Sequence, residues 1–172
     1  MSYRRFAAMI AVSTVVMFGL MYLNTFALEH VRYSQTRTWM ALVMGASMAV
    51  IMLGFMWGMY RDRRLNLAIL AGAVAVFAGA LWLVRSQQTV GDVAWMKAMI
   101  PHHSIAILTS ERAQIRDERT RLLADRIIDS QQREIAEMEA LIAELQRDPP
   151  PDGAPVLPSW RERGAPPPPP AE

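Results

Sequence analysis

Four residues in one short run have side chains able to hold a metal ion: Met96, Met99, His102 and His103. Thioether sulfur is a soft donor that selects Cu(I), and imidazole nitrogen also serves Cu(II) and Zn(II). On a helix advancing 100° per residue from Met96, Met99 falls at about 300°, His103 at about 340° and His102 at about 240°. Met96, Met99 and His103 therefore share a face, with His102 at its edge. A second helical pattern further along places Gln131, Ile135 and Met138 on one apolar face. Imidazole and thioether groups from two helices could thus converge. The plainer alternative is that the methionines fill a helix core, which is their common use, and that the two histidines are simply hydrogen-bonded beside Pro101. Spacing alone leaves both readings open.

These residues need a pair of helices to position them. Apolar residues recur at Val93, Met96, Met99, Ile100, His103, Ile107 and Ser110, with Asp92 as a plausible N-cap. Pro101 lies inside that pattern and should kink the helix by removing a backbone donor. The polar run 114–119 is the expected turn. A second helix is expected to reach about Gln146, with the stripe Leu123, Ile127, Ile128, Ile135, Met138, Ile142 and Leu145 near a 3.6-residue period. Two helices bury little surface, so the hairpin needs a partner. That partner is its own membrane helices, another protein such as a metal-handling membrane protein, or a second copy. A homodimer of hairpins would complete a four-helix bundle.

Before the hairpin come three uncharged apolar stretches, at 6–28, 39–60 and 65–84. Each is long enough to cross ~30 Å of hydrocarbon, which takes ~20 helical residues. Residues 1–85 are thus expected to be a membrane domain embedded in a lipid bilayer. Arg4 and Arg5 also suit a signal peptide, but its apolar region runs only ~7–15 residues, and no clean small-x-small cleavage site follows. Arg4, Arg5, Arg61, Arg63 and Arg64 would share one side, against Arg32, Arg37 and Arg85 on the other. By the positive-inside rule the N-terminus is cytoplasmic and the hairpin outside, in the periplasm if the membrane is a bacterial inner membrane.

The middle stretch carries Met40, Met44, Met48, Met52 and Met56 at intervals of four, then Met59. This spiral is either a thioether track or ordinary packing, with Gly54 and Gly58 as a small-xxx-small contact. His30 and Glu29 lie just beyond the first stretch, on the hairpin's side. The hairpin occupies 86–148, and the Pro-rich tail 149–172 is expected to be disordered.

Composition excludes several classes. The 172 residues carry a net charge of +2, but residues 86–148 hold eight basic and eleven acidic side chains. A net negative extramembrane region is a poor match for nucleic acid, which demands a basic face. The absence of cysteine excludes disulfides, thiolate metal sites and cysteine nucleophiles. His-Glu-x-x-His, Glu-x-x-His and Gly-rich phosphate loops are missing, and Ser104 has no visible triad context. The chain is not expected to be an enzyme.

The run Met96-Lys97-Ala98-Met99-Ile100-Pro101-His102-His103, followed by Ala106-Ile107, resembles the signature of the domain of unknown function 305 family. So do Leu123-Ala124, Ile127-Ile128, Gln131 or Gln132, Glu134-Ile135 and Met138. The segment from His30 through Tyr60 resembles the family's membrane-anchored branch. The resemblance implies an all-α, ferritin-like helical fold, here as one hairpin, half of a four-helix bundle. Some members are periplasmic copper-binding proteins linked to copper resistance, with Met and His ligands. Carried over, that implies a metal set of Met96, Met99, His102, His103 and Met138, with copper as the metal and zinc as the alternative. Thr109 stands where many members have a methionine.

Overall fold

The structure is a computed structural model, and residues 2–164 are described. Six helices follow in order: α1 Tyr3–Leu20, α2 Gln35–Phe55, α3 Arg63–Ser86, α4 Asp92–Arg112, α5 Glu118–Arg147 and the single turn α6 Trp160–Arg163. No strand occurs among the described residues. The fold is all-α.

Helices α1, α2 and α3 contain 18-residue stretches with mean hydropathies of 1.3, 1.8 and 2.5 and are each long and apolar enough to cross a membrane. Between α1 and α3 stands α2, which buries Ala41, Gly45, Ala46, Ala49 and Leu53. Small side chains let the backbones approach. At Gly45 the approach is closest, because a Cβ there would collide with the Thr14 hydroxyl of α1. Gly54 and Gly58, the expected small-xxx-small contact, face open space within this chain. The methionine spiral flanks the small-residue seam: Met44, Met48, Met52 and Met56 are half-buried and Met40 is exposed.

The first helix stops at Leu20, well short of the expected 28, and the polar groups that follow give the reason. The Arg37 guanidinium donates to the Met21 carbonyl at 2.8 Å and stacks 4.3 Å from the Tyr22 ring centre. Ser34 donates its backbone N–H to the Tyr22 hydroxyl and caps α2 with its side chain. The segment 21–34, with a 3-10 turn at Leu28–His30, thereby folds back over the end of the membrane helices. At the opposite end Asp62 caps α3. There the fully buried Asn66 donates to the Tyr60 carbonyl and accepts from the Tyr3 hydroxyl at 2.8 Å.

The hairpin is α4 packed on α5. Gly91, rather than Asp92, holds the N-cap position, and Asp92 is the first helical residue. α4 continues through the buried Pro101. Residues 113–117 form the turn, and Asp117 caps α5 by accepting from the Thr120 N–H. Met96, Ile100, Ile107, Ile135 and Met138 form the core, joined by Val93, Met99, Ile128, Ile142 and Leu145. Leu123 and Ile127, expected in this stripe, are instead 50% and 37% exposed. α5 continues its apolar surface beyond the width that one neighbouring helix covers.

The hairpin rests on segment 21–34. Ser104 of α4, fully buried, accepts the Phe26 N–H at 2.7 Å and meets His30 Nδ1 at 2.9 Å. Arg32 pairs with Glu139 of α5 at 3.1 Å. Part of the missing partner surface is thus supplied by the chain itself. Beyond α5, residues 149–159 lie in turns and irregular backbone. The proline run 166–170 lies outside the described residues.

Candidate functional site

Met96 and Met138 come from facing helices and are 4% and 6% exposed in one cluster. Met99, one turn along α4 from Met96, packs against that cluster from its edge. His103 follows on the next turn and is buried. Four of the five expected residues are therefore gathered on the α4–α5 seam. His102 is not: it is exposed, its ring centre 6.0 Å from that of His103. Adjacent residues on a helix diverge by 100°, so burial of His103 turns His102 outward.

Both ring nitrogens of His103 are engaged. Nδ1 lies 2.9 Å from the Met99 carbonyl oxygen, and Nε2 lies 2.7 Å from Glu134 Oε2. A carbonyl only accepts, so Nδ1 carries a proton and donates. The Glu134 carboxyl is held below the usual carboxylate range, first by the Ser130 hydroxyl donating at 2.6 Å and then by His103, against the opposing effect of burial. The carboxylate is therefore an ionised acceptor, and its contact with the His103 ring fastens α4 to α5.

This pairing bears on metal chemistry in two ways. Metal-binding histidines characteristically donate one ring N–H to a carbonyl or carboxylate, which fixes the other nitrogen as the ligand. The Met99 carbonyl does this for His103 and leaves Nε2 facing Glu134. A cation held at Nε2 would have the Glu134 carboxylate beside it as a further donor. No group of three or more His, Cys, Asp or Glu side chains able to hold a metal occurs among the described residues. A single hairpin completes a site only by recruiting the thioethers.

Sequence reasoning missed Ser130 and named Glu134 only within the motif, not as part of the site. Their i, i+4 spacing on α5 was a usable signal, but only the structure sets Glu134 opposite His103. The Ser104 hydroxyl is fully buried and holds Phe26 and His30.

Comparison with known proteins agrees over the hairpin. The model of a family described as Domain of unknown function (DUF305) matches residues 83–165. This is the family that the run 96–103 resembles. The chain is also similar to Uncharacterized protein L153 of Acanthamoeba polyphaga mimivirus, at 39% identity over 66 residues. That match covers 37% of this chain and 43% of the viral protein, so it spans less than half of the relative. No solved structure matches.

Proposed function

We propose that this chain is a membrane-anchored metal-binding protein whose hairpin takes copper, as Cu(I), for binding or delivery outside the cytoplasm. The supporting observation is the seam that carries Met96 and Met138 in one cluster, with Met99 at its edge and His103 one turn further. Thioethers suit Cu(I), and a histidine with Nδ1 fixed by a carbonyl suits either Cu(I) or Zn(II). His102, exposed beside His103, is placed to collect the ion from solution rather than to enclose it. The role is one of binding, as a periplasmic hairpin of ferritin-like type on a bacterial inner membrane. A metal-handling membrane protein is its natural partner.

The test is metal titration of the full-length protein in detergent, since the hairpin leans on segment 21–34. Tight Cu(I) binding with one ion per hairpin, or per pair of hairpins, is the expected result. Absence of Cu(I) binding at micromolar concentration defeats the proposal. Orientation is tested separately with reporters fused after Tyr60 and after Arg147, which should report opposite sides, the second one outside.

A second reading has its own observation. The His103–Glu134 pair and the buried methionines also make a self-sufficient core, and α5 leaves Leu123 and Ile127 exposed. On that reading the hairpin is an interaction module that dimerises without metal. Dimers that form equally well with and without copper, and that bind none, would favour it.

A further inference from the structure

The membrane half of the molecule has a groove that the metal reading does not use. It lies where α1 and α3 diverge on either side of α2, with a volume near 530 Å³. Ala7, Ala11, Gly45, Ala46 and Ala73 contribute small side chains to its walls. That volume is in the range of ligand sites, about 300–1,000 Å³. Along α1 the lining runs from Tyr3 to Val15. At 1.5 Å per residue that is about 18 Å, close to one leaflet of a ~30 Å hydrocarbon layer.

One end of the groove is marked by charge. Tyr3 lines it and donates to Asn66 Oδ1 in the first turn of α3. The starts of α1 and α3 are therefore held together. Arg4 and Arg5 occupy the first turn of one helix, and Arg63 and Arg64 the first turn of the other. All four are exposed, and none forms an ion pair among the described residues. The Asp62 carboxylate, next to Arg63, is committed to capping α3.

The geometry points to a bound phospholipid with an anionic headgroup, one acyl chain in the groove and the phosphate among these arginines. Guanidinium groups recognise phosphate through paired N–H donors, and long arginine stems reach the interface from a helix end. The apolar length fits one leaflet, and the cations sit at the end where that leaflet's headgroups lie. A neighbouring membrane helix is the competing occupant, but it would use the small-residue walls and leave the four arginines unmatched.

Native mass spectrometry of the full-length protein tests this, after exchange between micelles doped with phosphatidylglycerol or with phosphatidylcholine of equal chain length. One phosphatidylglycerol should be retained in preference to phosphatidylcholine. Replacing Arg4, Arg5, Arg63 and Arg64 with Gln should cut that preference by about tenfold or more, because basic residues near an anionic surface attract its headgroups. Ala11→Leu, which fills the groove, should abolish retention. Ala8→Leu makes the same change at an exposed position outside the groove and should leave it unchanged, which controls for folding. Equal retention of both lipids overturns the inference. So does loss in the arginine variant with normal retention in Ala11→Leu, which would mean surface attraction without a groove site. An Ala11→Leu change in oligomeric state rather than in lipid count would assign the groove to a helix instead.

Discussion

His103 Nε2 lies 2.7 Å from Glu134 Oε2, and this pair joins α4 to α5 at the edge of the hairpin core. The histidine is buried, whereas the glutamate side chain is 46% exposed. Glu134→Gln keeps the shape and removes the charge. A hydrogen bond to a charged group contributes about 1.5–3 kcal/mol when buried, and solvent screening at Glu134 lowers this to about 1 kcal/mol. Denaturation followed by fluorescence in a background that keeps Trp95 as its single tryptophan should show that loss. An unchanged midpoint would mean that the pair adds nothing to the fold.

Acid should act through the same carboxylate. The Glu134 carboxyl is depressed in the folded state by Ser130 first and His103 second. A depressed carboxyl stabilises the fold above its unfolded value, about 4.3, and that contribution disappears as pH falls through the lower folded value. Hairpin stability from this group should be flat from about pH 7 to about pH 5 and fall below that. Ser130→Ala should shrink the fall and Glu134→Gln should remove it. Denaturant midpoints at pH 6 and pH 3.5 measure the difference. An identical acid loss in Glu134→Gln would assign it to other carboxylates.

The proposed metal ligands would separate by chemistry. Imidazole binds metal only without its proton, whereas thioethers do not titrate in the ordinary range. His103→Ala should weaken both Cu(I) and Zn(II). Met99→Leu and Met138→Leu nearly conserve volume, so folding should change by less than about 1.5 kcal/mol. They should weaken Cu(I) and spare Zn(II). Equal losses of the two metals in Met99→Leu would make Met99 a core residue only.

Much of this was legible in the sequence, and the failures have local causes. The helix pair, its turn and its Met96, Met99, His103 and Met138 face follow from the 3.6-residue period. The end of α1 does not, because hydropathy carries no trace of the Arg37 bond that takes the Met21 carbonyl. The docking of segment 21–34 on Ser104 was equally hidden, since its bonds span more than seventy residues. Periodicity named Leu123 and Ile127 as apolar but could not say that α4 leaves them uncovered.

The close approach of α1 and α2 gives a paired test. A Cβ at Gly45 meets the Thr14 side chain, whereas at Gly54 it meets nothing within 4 Å. Gly45→Ala should destabilise the membrane domain by about 1–3 kcal/mol, the usual cost of overpacking. Gly54→Ala should be neutral or slightly stabilising, since glycine weakens a helix interior. Thr14→Ala should rescue Gly45→Ala in a double-mutant cycle. Thermal unfolding in detergent is the measurement, and additive effects of the two substitutions would show that the helices do not touch there.

The uncovered face of α5 predicts how two copies meet. Leu123, Ile127 and Leu141 are 50%, 37% and 41% exposed. On the helical wheel they fall within about 40° of one another, with Glu134 between them. Trp95, 51% exposed, adds to the apolar surface of α4. Pairing two hairpins through this face would bury the stripe and bring the two His103–Glu134 pairs into one four-helix bundle. Burying a leucine or isoleucine contributes about 1.5–3 kcal/mol. Leu123→Lys with Ile127→Lys should therefore raise the dimer dissociation constant by about a hundredfold or more, while the monomer stays folded because both positions face outward. Sedimentation of the full-length protein in density-matched detergent should show a dimer for the natural sequence and a monomer for the double variant. A dimer that survives both lysines would place the contact on the membrane helices. Copper binding that stays one ion per chain in the monomeric variant would show that each hairpin holds its metal alone.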